Sequence, residues 1–219
     1  VASQPGVLVN RGLVAYVMGG ESFIGEGITP VDIDKAAMKF GMPMGPVTLA
    51  DTVGLDVCLS VADNLSEHFG GDVPARLKQM VADKHLGVKT GKGFYEYEKG
   101  KKVKSAPPAE SKSNPDITDR LILRMLNEAA LCLQEKVVED ADLLDAGMIF
   151  GTGFAPFRGG PMQYAKARGI DDVVATLERL AKQYGERFKP VRAWTQLGKS
   201  QAGVKKTNGA GGVKPEVVA

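Results

Sequence analysis

Residues 40–56 read FGMPMGPVTLADTVGLD, and residues 150–161 read FGTGFAPFRGGP. Both stretches open with Phe-Gly and reach a proline soon afterwards, a pattern typical of one helix ending and the next beginning. The predicted counterparts are Phe40 with Phe150, Gly41 with Gly151 and Pro46 with Pro156. Their separation exceeds the roughly 20 to 50 residues of solenoid repeats, so we interpret the chain as two copies of one helical domain.

The repeat extends upstream, because Asn10-Arg11 precedes the first stretch at nearly the distance at which Asp119-Arg120 precedes the second. We expect the two copies to pack on each other through the apolar stripes of their helices. At about 25 cal/mol per Å² of apolar surface, one such helix face contributes several kcal/mol.

Composition narrows the class of protein. The chain has 219 residues, of which 43% are hydrophobic, and its 28 basic residues nearly balance its 26 acidic ones. This charge balance argues against a nucleic-acid binding protein. Cys58 and Cys132 lack CxxC or Cys/His spacing, so we expect free thiols in a reducing compartment and no metal site.

Two further features bear on location and completeness. No apolar run approaches the roughly 20 residues of a transmembrane helix, and no leader is visible, so we expect a soluble, cytoplasmic protein. The sequence begins at Val1 without a methionine, within what looks like a connection. We therefore expect a fragment of a longer protein.

Local signals predict an all-α fold. Thr29-Pro30-Val-Asp32 combines a cap residue, a proline at the first helical position and an acid in the first turn, which predicts a helix over 30–40. Lysine, proline and serine dominate the segment after Lys99, which cannot bury enough apolar surface to order itself. The predicted organisation is a first domain over 5–98, a linker over 99–116, a second domain over 117–190 and a disordered tail over 191–219.

Several motifs have a structural and a chemical interpretation. Gly87-x-x-x-Gly91-Lys92-Gly93 is one residue too short for a phosphate loop and lacks the following Ser or Thr, so a turn is favoured. Residues 94–97 are predicted to be extended and to pack on the helices. Gly151-x-Gly153 lacks the rest of a dinucleotide fingerprint. His68 and His85 have no partnered Ser, Cys or carboxylate motif, so we expect solvated or helix-capping roles.

Paired carboxylates lie at predicted helix starts, where the backbone dipole favours negative charge, so we assign them no catalytic role. By residue chemistry alone the chain has no obvious base, nucleophile or metal site. These carboxylates are Asp32, Asp34, Glu139, Asp140 and Asp142.

Taken in series, several motifs resemble the C-terminal helical domain of L-3-hydroxyacyl-CoA dehydrogenases. The second copy resembles the duplicated helical domain of multifunctional fatty-acid oxidation enzymes, and the resemblance covers about residues 5–185. It implies a fold similar to the C-terminal domain of 6-phosphogluconate dehydrogenase. The motifs are Leu8-Val-Asn-Arg11, Asp32-x-Asp34, Gly41-Met-Pro-Met-Gly-Pro46, Leu49-x-Asp51-x-x-Gly54-Leu-Asp56, Lys89-Thr-Gly-Lys-Gly-Phe-Tyr95 and Gly153-Phe-Ala-Pro-Phe-Arg-Gly-Gly-Pro161.

The resemblance implies hydride transfer from a 3-hydroxyacyl-CoA to NAD, with a histidine as base and a glutamate that orients it. In that family the histidine, the glutamate and the NAD site belong to a preceding domain, so no cofactor is expected in this fragment. Asn10 matches a catalytic residue that hydrogen-bonds the substrate; the alternative is that Asn10 only caps its helix. Pro43 and Met44 match positions that border the acyl-CoA cleft; the alternative is a structural turn.

The resemblance also implies partners: the NAD-binding domain, a hydratase/isomerase domain of the same protein, and a thiolase subunit. Two alternative functions stay open. One is a helical assembly module without enzymatic activity, and the other is a related hydroxyacid dehydrogenase with a short substrate.

Overall fold

The computed structural model describes residues 7–69, 73–103 and 116–199 and is predominantly helical, which confirms the all-α prediction. The helices of the first copy are α1 Val7–Gly25, α2 Pro30–Phe40, α3 Pro46–Val53, α4 Leu55–Phe69 and α5 Ala75–Ala82. Those of the second copy are α6 Ile117–Gln134, α7 Ala141–Thr152, α8 Pro161–Arg168 and α9 Ile170–Tyr184. Two short strands, β1 Tyr97–Glu98 and β2 Lys101–Lys102, pair with each other as an antiparallel hairpin that precedes the second copy in sequence.

Helix α2 begins and ends as its sequence predicts. The Thr29 side chain accepts a hydrogen bond from the Asp32 N–H at 3.2 Å, and Pro30 occupies the first helical position. Gly41 ends the helix with a φ of 119°, a left-handed conformation that glycine adopts without steric cost.

Asp34 connects α2 to the start of α3. Its carboxylate accepts hydrogen bonds from the backbone N–H groups of Val47, at 2.9 Å, and Thr48, at 3.1 Å. Asp34 therefore caps the following helix rather than its own, where we had expected it to act through the helix dipole. A Cβ atom at Gly45 would lie 2.2 Å from Asp34 Oδ1, so only glycine leaves room for this contact.

The second copy repeats this device. Asp145 of α7 accepts hydrogen bonds from the N–H groups of Met162, at 2.6 Å, and Gln163, at 2.9 Å, at the start of α8. Gly160 lies against Asp145, since a Cβ atom there would approach the Asp145 Cβ to 2.4 Å. The repeated unit is thus a buried aspartate on one helix and a Gly-Pro step that opens the next.

This equivalence corrects the predicted register of the repeat. Phe40 is buried and packs edge-on against Phe154, with ring centroids 5.7 Å apart, whereas Phe150 is 90% exposed. Pro161, and not Pro156, begins the helix that corresponds to α3. Asp34 and Asp145 stand 111 residues apart, whereas Phe40 and Phe150 stand 110 apart, so matching the two Phe-Gly pairs shifts the alignment of the helices by one residue. The connection after α7 is also longer than that after α2 and contains an extra 3-10 turn, Pro156–Arg158, so the next helix begins at Pro161.

The two copies pack on each other, as expected, mainly through α1 and α6. Near the start of α1, Arg11 donates hydrogen bonds to Glu135 at 2.5 Å and to Glu128 at 3.2 Å. Near the start of α6, Arg120 binds Glu26 with two hydrogen bonds, one of them 2.7 Å long. Each helix therefore brings an arginine to the carboxylate that follows the end of the other, and the two helices run antiparallel.

The predicted tail over 191–219 is wrong for residues 191–199. Residues 193–199 are helical, and Trp194 is 1% exposed. The Trp194 Nε1–H donates to Asn127 Oδ1 at 2.9 Å, so an aromatic anchor holds this segment on α6. Residues 200–219 lie outside the described residues.

The predicted linker, 99–116, is ordered at both described ends. Lys101 and Lys102 form β2, and Asp116 accepts two hydrogen bonds of 2.9 Å from Arg179 on α9. Residues 104–115 lie outside the described part of the chain. The proposed division into domains at this segment therefore stays a prediction.

Candidate functional site

An apolar groove lies along α1, where α3 and α4 leave part of its surface uncovered. Its volume is about 170 Å³. Val53 and Val57 at its rim are 47% and 43% exposed. The residues that line it are Asn10, Leu13, Val14, Val17, Met18, Leu49, Val53, Val57, Cys58 and Val61.

Asn10 contributes a side-chain amide to the lining of the groove. It is exposed and lies in the first turn of α1, which begins at Val7. The alternative that Asn10 caps its helix is therefore wrong, because a capping residue precedes the first helical residue. Among the described residues the Asn10 side chain has no hydrogen-bond partner, so its amide is available to a polar group of a molecule whose apolar part fills the groove.

The thiol in the groove is not a nucleophile. Burial, together with the carboxylates of Asp51 and Asp56, raises the pKa of Cys58 to about 11. A thiol with that pKa is protonated near neutral pH, and the thiolate is the reactive form. Cys58 therefore adds no reactive thiolate to the groove, and the Asn10 amide is the polar group of its lining.

Glu21 is a buried carboxyl farther along α1. It is 5% exposed, and its Oε1 has no hydrogen-bond partner within the described residues. Burial raises the pKa of Glu21 to about 7, an effect that the positive charge of Arg76 opposes. The carboxyl therefore titrates near neutral pH, unlike an ordinary surface glutamate.

Asp51 holds the glycine-rich loop against α3. It is fully buried and accepts hydrogen bonds from the N–H groups of Phe94 and Tyr95, both at 2.9 Å, and from the Tyr97 hydroxyl at 3.0 Å. Burial raises the pKa of this carboxyl, and these three hydrogen bonds oppose the rise. Within the loop, the N–H groups of Gly87, Gly91 and Gly93 donate to backbone carbonyls, and a 3-10 turn, Val88–Thr90, opens it. The predicted turn is confirmed.

Two more contacts join the motifs of the first copy. Lys89 binds Asp56 at 2.5 Å, and the Tyr95 hydroxyl donates to Asp34 at 2.8 Å. The Asp, Lys and Tyr residues of these motifs therefore hold α2, α3, α4 and the loop together behind the groove. The sequence carries no signal for which aspartate faces which loop, so these pairings could not be predicted from it.

Pro43 and Met44 do not line the groove. Pro43 is exposed and lies against the second copy, where a Cβ atom at Gly153 would come within 2.6 Å of it. The Met44 carbonyl accepts from the Tyr16 hydroxyl at 2.9 Å, and the Met44 sulfur lies 3.8 Å from the Thr52 hydroxyl. Thr52 precedes Val53 of the rim, so Met44 lies behind one edge of the groove.

The groove does not fit a dinucleotide. Its lining has no basic side chain for a pyrophosphate, and its volume of about 170 Å³ is below the roughly 300 to 1,000 Å³ of ligand pockets. Within the described residues, no group of three or more His, Cys, Asp or Glu side chains could hold a metal ion. No helix in that part of the chain is both long and apolar enough to cross a membrane.

Comparison with protein families finds a model described as 3-hydroxyacyl-CoA dehydrogenase, C-terminal domain, which matches residues 6–97 and again residues 117–214. The fatty acid oxidation complex subunit alpha of Idiomarina loihiensis is 40% identical over 211 residues, covering 90% of this chain and 30% of that protein. The same subunit of Shewanella sp. (strain ANA-3) is 38% identical over 206 residues, covering 87% and 29%. The chain thus spans about 30% of the length of these curated relatives.

Solved structures share the fold. The dehydrogenase part of multifunctional enzyme 1 from Caenorhabditis elegans superposes with a TM-score of 0.69 at 26% identity, covering 90% of this chain and 49% of that one. The 3-hydroxybutyryl-CoA dehydrogenase of Escherichia coli K12 gives a TM-score of 0.71 at 20% identity, covering 92% and 61%.

Proposed function

The chain belongs to the 3-hydroxyacyl-CoA dehydrogenase C-terminal domain family, and we propose that it is the C-terminal part of an enzyme that oxidises 3-hydroxyacyl-CoA to 3-ketoacyl-CoA with NAD. Relatives named as fatty acid oxidation complex subunits support fatty acid oxidation as the setting. One observation in this chain carries the proposal: Asn10 holds an uncommitted amide at an apolar groove.

The proposed role of the chain is to bind and orient the substrate. The groove shields an apolar part of the acyl chain from water, and the Asn10 amide donates a hydrogen bond to an oxygen at the reacting end. NAD, held by a preceding domain, would supply the acceptor for the hydride of the 3-hydroxyl carbon. A histidine of that domain takes the hydroxyl proton, and Asn10 keeps the substrate beside it.

Pro43 and Met44, which match positions that border the acyl-CoA cleft, lie outside the groove lining in this chain. Met44 supports one edge through Thr52, while Pro43 sits where the copies meet. The full-length protein is proposed to carry a hydratase/isomerase domain as well, and to bind a thiolase subunit. The match covers 30% of the length of one such relative, so the rest of that protein is long enough to contain further domains.

The test is Asn10→Ala in the full-length enzyme. Loss of one hydrogen bond to the substrate should lower kcat/KM about 10- to 100-fold, while the helical circular dichroism stays unchanged. Asn64→Ala is the matched control, because Asn64 is an exposed asparagine on α4 outside the groove lining. Equal kinetics for Asn10→Ala and Asn64→Ala would remove Asn10 from the substrate site.

A further inference from the structure

One side of α7 is apolar although it faces solvent. Leu143 and Phe150 are 49% and 90% exposed, and they lie about two helical turns apart on the same side of the helix. The opposite side is apolar as well, and it buries Leu144 and Met148. A helix that is apolar on both sides is normally covered on both. We call the exposed side the α7 face, which consists of Leu143, Ala146, Gly147 and Phe150.

The repeat supplies an internal comparison for the α7 face. In the register set by the two capping aspartates, residues 111 positions apart correspond, so α7 is matched by α2. On α2 the matching side carries two exposed lysines and a half-buried aspartate, next to the exposed Met38. The same fold thus accepts charge at these positions, and it does not itself require the α7 face to be apolar. The corresponding pairs are Asp32 with Leu143, Lys35 with Ala146 and Lys39 with Phe150.

The α7 face adjoins the first turn of α1, where Asn10 lies. Gly151, which follows Phe150, lies against Val9, because a Cβ atom at Gly151 would come within 2.3 Å of Val9 Cγ2. Asn10, Phe150 and Gly151 are all exposed. The end of α7 and the start of α1 therefore form one continuous surface beside the candidate site.

The corresponding place on the other side of the molecule has a different chemistry. There α2 packs on α6, whose first turn holds Asp119, the predicted counterpart of Asn10. Asp119 accepts two hydrogen bonds from Arg168, of 2.6 and 3.0 Å. The charged helix thus packs on the helix whose aspartate is already paired. The apolar helix packs on the one that carries Asn10, so the exposed apolar surface and the candidate substrate site occur together.

We propose that the α7 face binds the dinucleotide-binding domain that precedes this chain in the full-length enzyme. The inference rests on the proposed function, which requires a histidine of that domain to reach the substrate at Asn10. A domain seated over Asn10 contacts the first turn of α1, against which the end of α7 lies. Stable interfaces cover about 800 Å² of each partner, so such a contact extends onto the neighbouring helix.

The residue types of the α7 face suit this partner. Phe150 is an aromatic side chain of the kind that anchors interface cores, and Leu143 extends the apolar area beside it. This chain covers 49% of the dehydrogenase part of multifunctional enzyme 1 from Caenorhabditis elegans, so about half of that protein lies outside the match and is large enough for such a domain. The second copy would thereby hold the catalytic domain against the first.

The experiment is photocrosslinking in the full-length enzyme. The photoreactive amino acid p-benzoyl-phenylalanine replaces Phe150 in one variant and Lys39 in the matched control, since Lys39 is exposed at the corresponding place on the first copy. Ultraviolet light bonds the probe to a C–H group that it contacts, and mass spectrometry identifies the joined peptides. We expect the probe at Phe150 to join the dinucleotide-binding domain, with a yield about tenfold or more above that at Lys39, because a probe inside an interface is held against its partner.

Several outcomes would overturn the proposal. They are crosslinks from position 150 to another domain or a second molecule, crosslinks only to this chain's own residues, and a yield no higher than at position 39. Both replaced side chains are exposed, so neither change disturbs the packed core. The readout does not depend on turnover. If Asn10→Ala lowers kcat/KM while the probe at position 150 finds no dinucleotide-binding domain, the docking surface is refuted and the proposed function stands.

Discussion

Glu21→Gln should change how the stability of the chain depends on pH. Burial raises the pKa of Glu21 from 4.5 to about 7 in the folded chain. The protonated carboxyl therefore favours folding below pH 4.5, and this contribution is lost as the pH rises through about 7. One pKa unit is equivalent to about 1.4 kcal/mol, so the loss approaches about 3 kcal/mol above pH 7.

Glutamine is neutral at every pH, so the variant avoids this loss. The measurement is urea unfolding of both chains from about pH 4 to pH 8, which gives the difference in free energy of unfolding at each pH. That difference should grow by about 3 kcal/mol in favour of Glu21→Gln across the range. Any constant cost of placing an amide at this position cancels, because only the change with pH is compared.

Glu178→Gln is the matched control, since Glu178 is exposed on α9. Its difference from the parent chain should stay within about 0.5 kcal/mol throughout. If the Glu21→Gln difference is as flat as that of the control, burial does not raise the pKa of Glu21 as the fold implies.

Further predictions concern stability and can be checked by the same unfolding assay. Asp51→Ala should cost about 2 to 5 kcal/mol, because it leaves buried N–H groups of the glycine-rich loop without an acceptor; a cost below about 1 kcal/mol would contradict this role. Trp194→Ala should cost about 3 to 5 kcal/mol, and an unchanged stability would restore the prediction of a disordered tail from residue 191. Gly45→Ala should cost about 2 kcal/mol or more, since its Cβ atom would lie 2.2 Å from an Asp34 oxygen; a neutral effect would show that Asp34 does not cap α3 tightly.

Local signals predicted the helices well. Thr29 and Pro30 fix the start of α2, Gly41 fixes its end, and Pro46 begins α3, because each acts through its own backbone conformation or a bond within one turn. Asn10 was identified through resemblance alone. The sequence offered no means to predict that three helices would build an apolar groove beside it.

Long-range pairing accounts for the errors. Matching Phe40 with Phe150 relied on the identity of the Phe-Gly pairs. In the fold, Asp34 corresponds to Asp145, because each accepts hydrogen bonds from the start of the next helix. Trp194 lies just before a low-complexity stretch, so its surroundings suggested disorder, yet Asn127 provides its partner from a distant helix. Periodicity reports which residues are buried but not which element covers them.

The crossed ion pairs between α1 and α6 have a consequence for a chain with a single copy. Arg11 and Glu26 stand at opposite ends of α1, as Arg120 and Glu135 stand at opposite ends of α6. One helical domain alone therefore already holds both the donor and the acceptor of the contact. Two molecules of the first copy could exchange them about a two-fold axis, so the tandem chain reads as a homodimer whose protomers have been joined end to end.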